Sequence, residues 1–307
     1  MVSCVVVGCG RMGLSHTLLI NQFLGSNISF DFVDPSFLNR LIFKCLFPRA
    51  SFHKSVNDPL LADKKFDFGL LCTPPSVRLA EFKRLRDLCD SVFIEKPVKV
   101  SGLRRSDSCG YVLLHHPCIR YLKKNFFNGN VVNRIDATVI SNISFSGKTG
   151  GWRGYDKHLL ITEFFSHLLS VVLYVGFDLD DRYEQIDVVN IQWVNNDNVN
   201  ISLMFGGIPV NLSLEGARDV RKTSYEFSFT TDDYVISTDL YRIYKHSIVG
   251  NDEDASYVAN ITDISPEIFY LRGYEFSNQM ESFLSGNPEQ IRFDLMSKVI
   301  DETELKL

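Results

Sequence analysis

Three short stretches hold residue types whose spacing could carry chemistry. The first, "GCGRMG", sets glycines at 8, 10 and 13 between an apolar, strand-like run (2–8) and a stretch with apolar residues at helical spacing (11–25). In that setting Gly8 permits a tight turn, Gly10 lets the backbone approach a pyrophosphate, and Gly13 lets helix and strand pack closely. A helix starting there offers unpaired N–H groups and a partial positive charge to phosphate. Asp34 ends the next strand-like run, "ISFDFVD" (28–34), where a carboxylate accepts hydrogen bonds from a ribose and repels a 2′-phosphate. The pattern predicts an NAD site, with NADP disfavoured, in which Cys9, Arg11 and Met12 complete the loop.

The second stretch, "FIEKPV" (93–98), ends a strand on Glu95, Lys96 and Pro97. Proline cannot donate to a sheet ladder, so the strand stops there and presents an acid and a base at its C-terminal edge. The third, "KHLLITEFFSH" (157–167), places Glu163 and His167 four residues apart, on one face of a helix. Histidine titrates near neutral pH and exchanges a proton readily with an alcohol, while an ammonium steadies negative charge developing on oxygen. These residue types leave open which of Lys96 and His167 makes the direct transfer. Trp152, Arg153 and Tyr155, with Lys157, form a polar and aromatic segment suited to a sugar or an anionic group. Each has a plain structural alternative: a buried histidine satisfied by a carbonyl, a Glu163–Arg153 pair, a loop packed at a domain boundary. His115 and His116 are adjacent on a strand-like run and therefore face opposite ways, so no metal site is expected.

The elements that must position these groups change character along the chain. Up to residue 118, short apolar runs (2–8, 28–34, 66–73, 91–96 and 110–116) alternate with helical stretches (11–25, 76–90), which predicts a parallel sheet with helices on both faces. From 119 to 307, alternating runs at 133–145, 186–194, 198–205, 208–217, 223–231 and 233–244, separated by turn residues, predict an antiparallel sheet. One long apolar helix (158–176) interrupts it, and the tail reads as helical.

Composition excludes several classes. The net charge of −5, with 45% hydrophobic and 22% charged residues, offers neither a nucleic-acid nor a membrane surface. Seven cysteines at 4, 9, 45, 72, 89, 109 and 118, with no C-x-x-C pair, suit free thiols in a cytoplasm rather than a disulfide frame. The N-terminal apolar run lacks a basic leader and is too short to span a bilayer.

The glycine loop, "LLCTPPSVR" (70–78) and "FIEKPV" together resemble the Gfo/Idh/MocA oxidoreductases, over essentially the whole chain in order of elements. The resemblance implies a Rossmann domain (1–118) followed by an open-faced α+β domain (119–307) for substrate binding and oligomerisation. It implies that Thr73, Pro74 and Pro75 lie near the cofactor beside Glu95, and that Lys96 lies beside the nicotinamide and the reacting carbon. His167 matches the family's signature histidine and Glu163 its Asp. The glycine run that normally precedes them is replaced by Lys157, His158 and Leu159, and Ser170 stands where a carboxylate is common. Lys96, Trp152, Arg153, Tyr155, Glu163 and His167 are therefore the expected substrate contacts. The resemblance further implies hydride transfer between nicotinamide and a secondary alcohol or ketone of a sugar, sugar nucleotide or cyclic polyol, in a homodimer or homotetramer joined through the sheet face. The competing expectation is an NAD(P)-binding sensor on the same scaffold that has lost turnover.

Overall fold

The computed structural model describes residues 1–100, 102–125, 132–141, 157–176, 186–217, 220, 223–248, 256–260 and 273–307. The chain divides into two compact units, Met1–Val112 with Ser265–Gln290, and Leu113–Ile264 with Ile291–Leu307. The chain passes into the second unit at Val112/Leu113 rather than at 118/119, and a C-terminal helix returns to the first.

The first unit holds a six-stranded parallel sheet in the order β3-β2-β1-β4-β5-β6. Its strands are β1 (Val2–Val7), β2 (Ile28–Val33), β3 (Ser51–His53), β4 (Phe66–Leu71), β5 (Cys89–Ile94) and β6 (Ser108–Cys109). Helices α1 (Arg11–Leu24), α2 (Phe37–Leu46) and α3 (Pro75–Leu88) connect them. The chain leaves β1 towards β2 on one side and β4 on the other, so a crevice opens at the C-terminal ends of β1 and β4. The near-continuous apolar runs follow from burial of the parallel strands on both faces: Val5, Val6, Leu70, Val92, Phe93 and Ile94 have no exposed surface. Met280 and Phe283, from α6 (Tyr274–Leu284), join Leu19, Ile20 and Phe93 in this core.

Two elements here differ from the expectation. Residues 35–65, where the residue pattern marks no element, carry α2 and β3. Ser36 caps α2 by accepting from the Asn39 N–H, yet the helix buries only Phe43 and turns Phe37, Leu38, Leu41, Ile42 and Leu46 outward, so its apolar pattern misleads. The run at 110–116 is not a strand: the last strand is the short β6, and Val112–His115 form a 3₁₀ turn.

The second unit is built on an eight-stranded sheet, ordered β14-β13-β12-β11-β7-β10-β9-β8. Its strands are β7 (Arg134–Ser141), β8 (Ile186–Asn195), β9 (Asn198–Phe205), β10 (Ile208–Gly216), β11 (Ser224–Thr230), β12 (Tyr234–Thr238), β13 (Arg242–Ser247) and β14 (Ser256–Asn260). All pairs are antiparallel except β7 with β10, which run parallel because β10 reaches β7 after a crossover through α5 (Lys157–Gly176), β8 and β9. Period-two alternation decides the faces: Ile135, Ala137 and Val139 are buried while Asp136 and Thr138 lie on the opposite side. Helix α5 packs on β7 and β10, and α7 (Phe293–Lys306) on β8, while α4 (Pro117–Asn125) packs on α5. The predicted single run at 233–244 is two strands. Asp239 Oδ1 accepts from the N–H groups of Tyr241 and Arg242, and Leu240 takes a left-handed φ of 73°, turning the chain there.

Candidate functional site

The glycine loop joins β1 to α1 through contacts that tolerate no side chain at two of its three glycines. Gly8 has φ +96°, and a Cβ there would lie 2.8 Å from the Cys72 carbonyl; a Cβ on Gly13 would lie 2.0 Å from the Gly8 carbonyl oxygen. Gly10 differs, because a Cβ on it would meet nothing within 4 Å. It is the N-cap of α1, which has no side-chain cap and no acid in its first turn, with Arg11 exposed at the first helical position and Met12 half-buried behind it. The helix end thus keeps its N–H groups and dipole for an anion.

Asp34 follows β2 and is buried, 6% exposed. Its Oδ2 accepts the Cys9 N–H at 2.8 Å and Asn39 Nδ2–H at 3.2 Å, and its Oδ1 accepts the Ser36 N–H at 2.8 Å. The carboxylate therefore ties the glycine loop to the start of α2, and a carboxylate's roughly four acceptor positions leave capacity for one donor more. Cys9 itself is inert: burial, then the Asp34 charge, push its thiol up to about 12. An open Gly10, an uncapped helix end and an acid at the end of β2 fit an adenine dinucleotide.

Thr73, Pro74 and Pro75 close the other side of the crevice after β4. Pro75 occupies the first position of α3, where a missing N–H costs nothing. The Thr73 hydroxyl donates to Glu81 Oε2 at 2.5 Å, so it is turned into the protein. Glu95 and Lys96 follow β5, whose ladder runs one residue further through the Glu95 N–H to the Leu71 carbonyl at 2.9 Å. Pro97 then ends it, through a cis Lys96–Pro97 bond. Buried Arg78, from α3, grips this turn by donating to the carbonyls of Thr73, Glu95 and Pro97. Lys96 is half-buried.

In the second unit, α5 carries Glu163 and His167, 4% and 8% exposed. Ser166 and Ser170 bond back to the carbonyls of residues 163 and 167, satisfying hydroxyls that the apolar helix would otherwise strand. Tyr225 of β11 stands edge-on to His167, with ring centroids 6.1 Å apart; burial, then the Glu163 carboxylate, push its hydroxyl well above the usual tyrosine range. Tyr225 is a candidate that residue spacing did not reveal, since it reads as one more residue of an alternating strand. Arg78 and buried His16 were equally hidden inside helical patterns. Trp152, Arg153 and Tyr155 lie outside the described residues. His115 and His116 sit in the 3₁₀ turn and at the start of α4, where burial lowers them to about 3 and about 4 respectively. Among the described residues no group of His, Cys, Asp and Glu is arranged to hold a metal ion, and no helix is long and apolar enough to cross a membrane.

The sheet's other face carries polar rows, with Arg134 and Asn211 both donating to Asp136. A cavity of about 440 Å³ opens there between Asp136, Thr138, Glu226, Ser237 and Tyr244. It lies across the sheet from the buried row that faces α5.

No family model and no curated protein matches the chain by sequence. Solved structures do match by shape. An oxidoreductase domain protein from Kribbella flavida superposes with a TM-score of 0.71 at 13% identity, covering 99% of this chain and 97% of its own. UDP-N-acetylglucosamine 3-dehydrogenase GnnA from Acidithiobacillus ferrooxidans gives 0.68 at 16% identity over 98% and 95%. Levoglucosan dehydrogenase, in complex with NADH and levoglucosan, gives 0.69 at 12% identity over 99% and 96%. The chain has the fold of these dehydrogenases. The Rossmann sheet expected from the resemblance is present in the first unit, and the open-faced sheet in the second.

Proposed function

We propose that the protein is an NAD-dependent oxidoreductase acting on a secondary alcohol or ketone of a sugar, sugar nucleotide or cyclic polyol. The observation that carries this is the convergence, at the C-terminal edge of one parallel sheet, of an uncapped glycine-loop helix after β1, Asp34 after β2 and Lys96 after β5. Structural neighbours bound to NADH or acting on sugars support it. Bound NAD would supply a two-electron acceptor for the carbinol carbon. Gly10, Arg11 and Met12 would hold the phosphates on a loop shaped by Gly8, Cys9 and Gly13, with Asp34 holding the ribose and Thr73–Pro75 forming the near wall. Lys96 would steady the substrate oxygen, and His167, flanked by Glu163 and Tyr225, would take or return its proton. The same reading has a homodimer or homotetramer joined through the sheet face, in a cytoplasm that keeps the cysteines as thiols, as they stand here.

A second reading, a nucleotide-binding sensor without turnover, is favoured by Lys157, His158 and Leu159 in place of glycines and by Ser170 in place of an acid. Calorimetric titration with NAD and NADP, followed by an absorbance assay over sugars, polyols and sugar nucleotides, separates the two. The enzyme reading expects NAD binding, NADH formation with one substrate class, and roughly a 10²-fold or greater loss of turnover in Lys96→Ala. Binding without turnover over the whole panel would establish the sensor.

A further inference from the structure

The buried pair His16 and Glu95 has no part in the chemistry above, yet it adjoins the residue that does. His16 lies on α1, three residues after Gly13, with no exposed surface, and its Nε2 is 2.5 Å from Glu95 Oε1. Its ring packs on Phe93, centroids 4.7 Å apart, and on Phe276 at 6.3 Å. Glu95 uses its second oxygen to accept the Lys96 N–H at 3.2 Å, while Arg78 holds the Glu95 and Pro97 carbonyls from the other side at 2.6 and 2.7 Å. Gly110 closes the turn: a Cβ there would lie 3.0 Å from Lys96 N and 3.1 Å from Glu95 Oε2.

A carboxylate taken out of water costs several kcal/mol unless it is paired and hydrogen-bonded. The groups facing Glu95 are His16 from α1, Arg78 from α3, Cys72 at the end of β4 and Lys96 beside it. Burial raises its carboxyl, but the hydrogen bond from His16, then the charges of Lys96 and Arg78, outweigh burial and hold it below the usual carboxylate value. Cys72, pushed well up by burial and next by Glu95, stays a neutral thiol. An ionised carboxylate consequently stands against the Lys96 backbone inside the protein.

We infer that His16 and Glu95 are positioning residues for Lys96: the pair fixes the backbone from which the side chain springs and sets a carboxylate against it. His16 acts only through Glu95, by donating to it. The consequence for turnover rests on the role of Lys96 proposed above, but the charge relationship does not.

Competitive acetylation of the full-length protein with acetic anhydride at pH 8, read lysine by lysine by mass spectrometry, tests it without substrate. In Glu95→Gln, Lys96 should label about tenfold faster relative to the other lysines, since removing an opposite charge bound at the residue's own N–H favours the neutral amine. His16→Gln keeps a donor and should leave the ratio within twofold of wild type. His16→Leu, which strands the carboxylate and drives it to take up a proton, should reproduce Glu95→Gln, and the double variant should add nothing further. An unchanged Lys96 ratio in Glu95→Gln overturns the proposal, as does additivity in the double variant. If the Glu95 variant fails to melt cooperatively, wild type decides alone: Lys96 labelling faster than the exposed lysines would also overturn it. A tenfold change in a protein that turns over no substrate would uphold the pair and refute the oxidoreductase reading instead.

Discussion

The two units hold their candidate residues in different ways. In the first, the loop after β1, the acid after β2 and the turn after β5 are placed by main-chain hydrogen bonds and by contacts too close for a Cβ. In the second, a helix packs on a sheet: Tyr225 stands edge-on to His167, and Ser166 and Ser170 bond back to the Glu163 and His167 carbonyls. A site built on backbone geometry needs particular residues at particular positions. A site built on packing accepts many sequences of similar volume, and that is where this chain departs from the pattern it resembles.

The largest effect expected from this difference lies within the glycine loop. Gly13→Val should abolish cooperative folding of the first unit, or cost more than about 3 kcal/mol, because its Cβ would collide with backbone rather than a movable side chain. Gly10→Val meets open space, so it should melt near wild type while losing NAD affinity by more than about tenfold, read by melting and calorimetry. Equal destabilisation by both would refute the division between a structural and a ligand-facing glycine.

In the packed site, His167→Asn should keep NAD affinity and lower turnover by roughly 10²- to 10⁴-fold. Tyr225→Phe, which keeps the ring, should cost much less. If Tyr225→Phe proves as damaging as His167→Asn, the tyrosine hydroxyl, not the imidazole, handles the proton.

The smallest effect is on acid stability, and its sign follows from burial. His115 and His116 are held neutral in the fold, lowered to about 3 and about 4 from the ordinary 6.5. The unfolded chain takes up protons first, so the melting temperature should fall as pH drops from 6.5 towards 4. Glu95 acts in the same direction at lower pH: its depressed carboxyl adds stability that is fully present above the ordinary 4.5 and is lost only as the pH falls below it. His115→Phe should flatten the upper limb. A profile flat down to pH 4.5 in wild type would assign acid sensitivity to carboxylates such as Glu95 instead.

Much of the fold was legible from residue order. Uninterrupted apolar runs mark strands buried on both faces, and period-two runs mark the second sheet, because burial dictates both patterns. Where the reading failed, local pattern and environment disagree. The apolar stripe of α2 faces outward, Asp239 and Leu240 break a continuous β-like run, and 110–116 has strand-like composition but only a 3₁₀ turn. The parallel β7–β10 pair was illegible because register between distant strands leaves no local mark.

By itself, the sequence determined the glycine loop, Asp34 and the strand-ending Glu95-Lys96-Pro97, since turns, helix ends and proline act within a few residues of their own position. Only the tertiary structure decided what those residues touch. It turned Asp34 onto the Cys9 N–H, brought His16 across 79 positions to Glu95, closed Arg78 over the same turn and set Tyr225 beside His167. The reason is one of range: backbone preference is local, whereas a buried charge must find its partner wherever the fold delivers one.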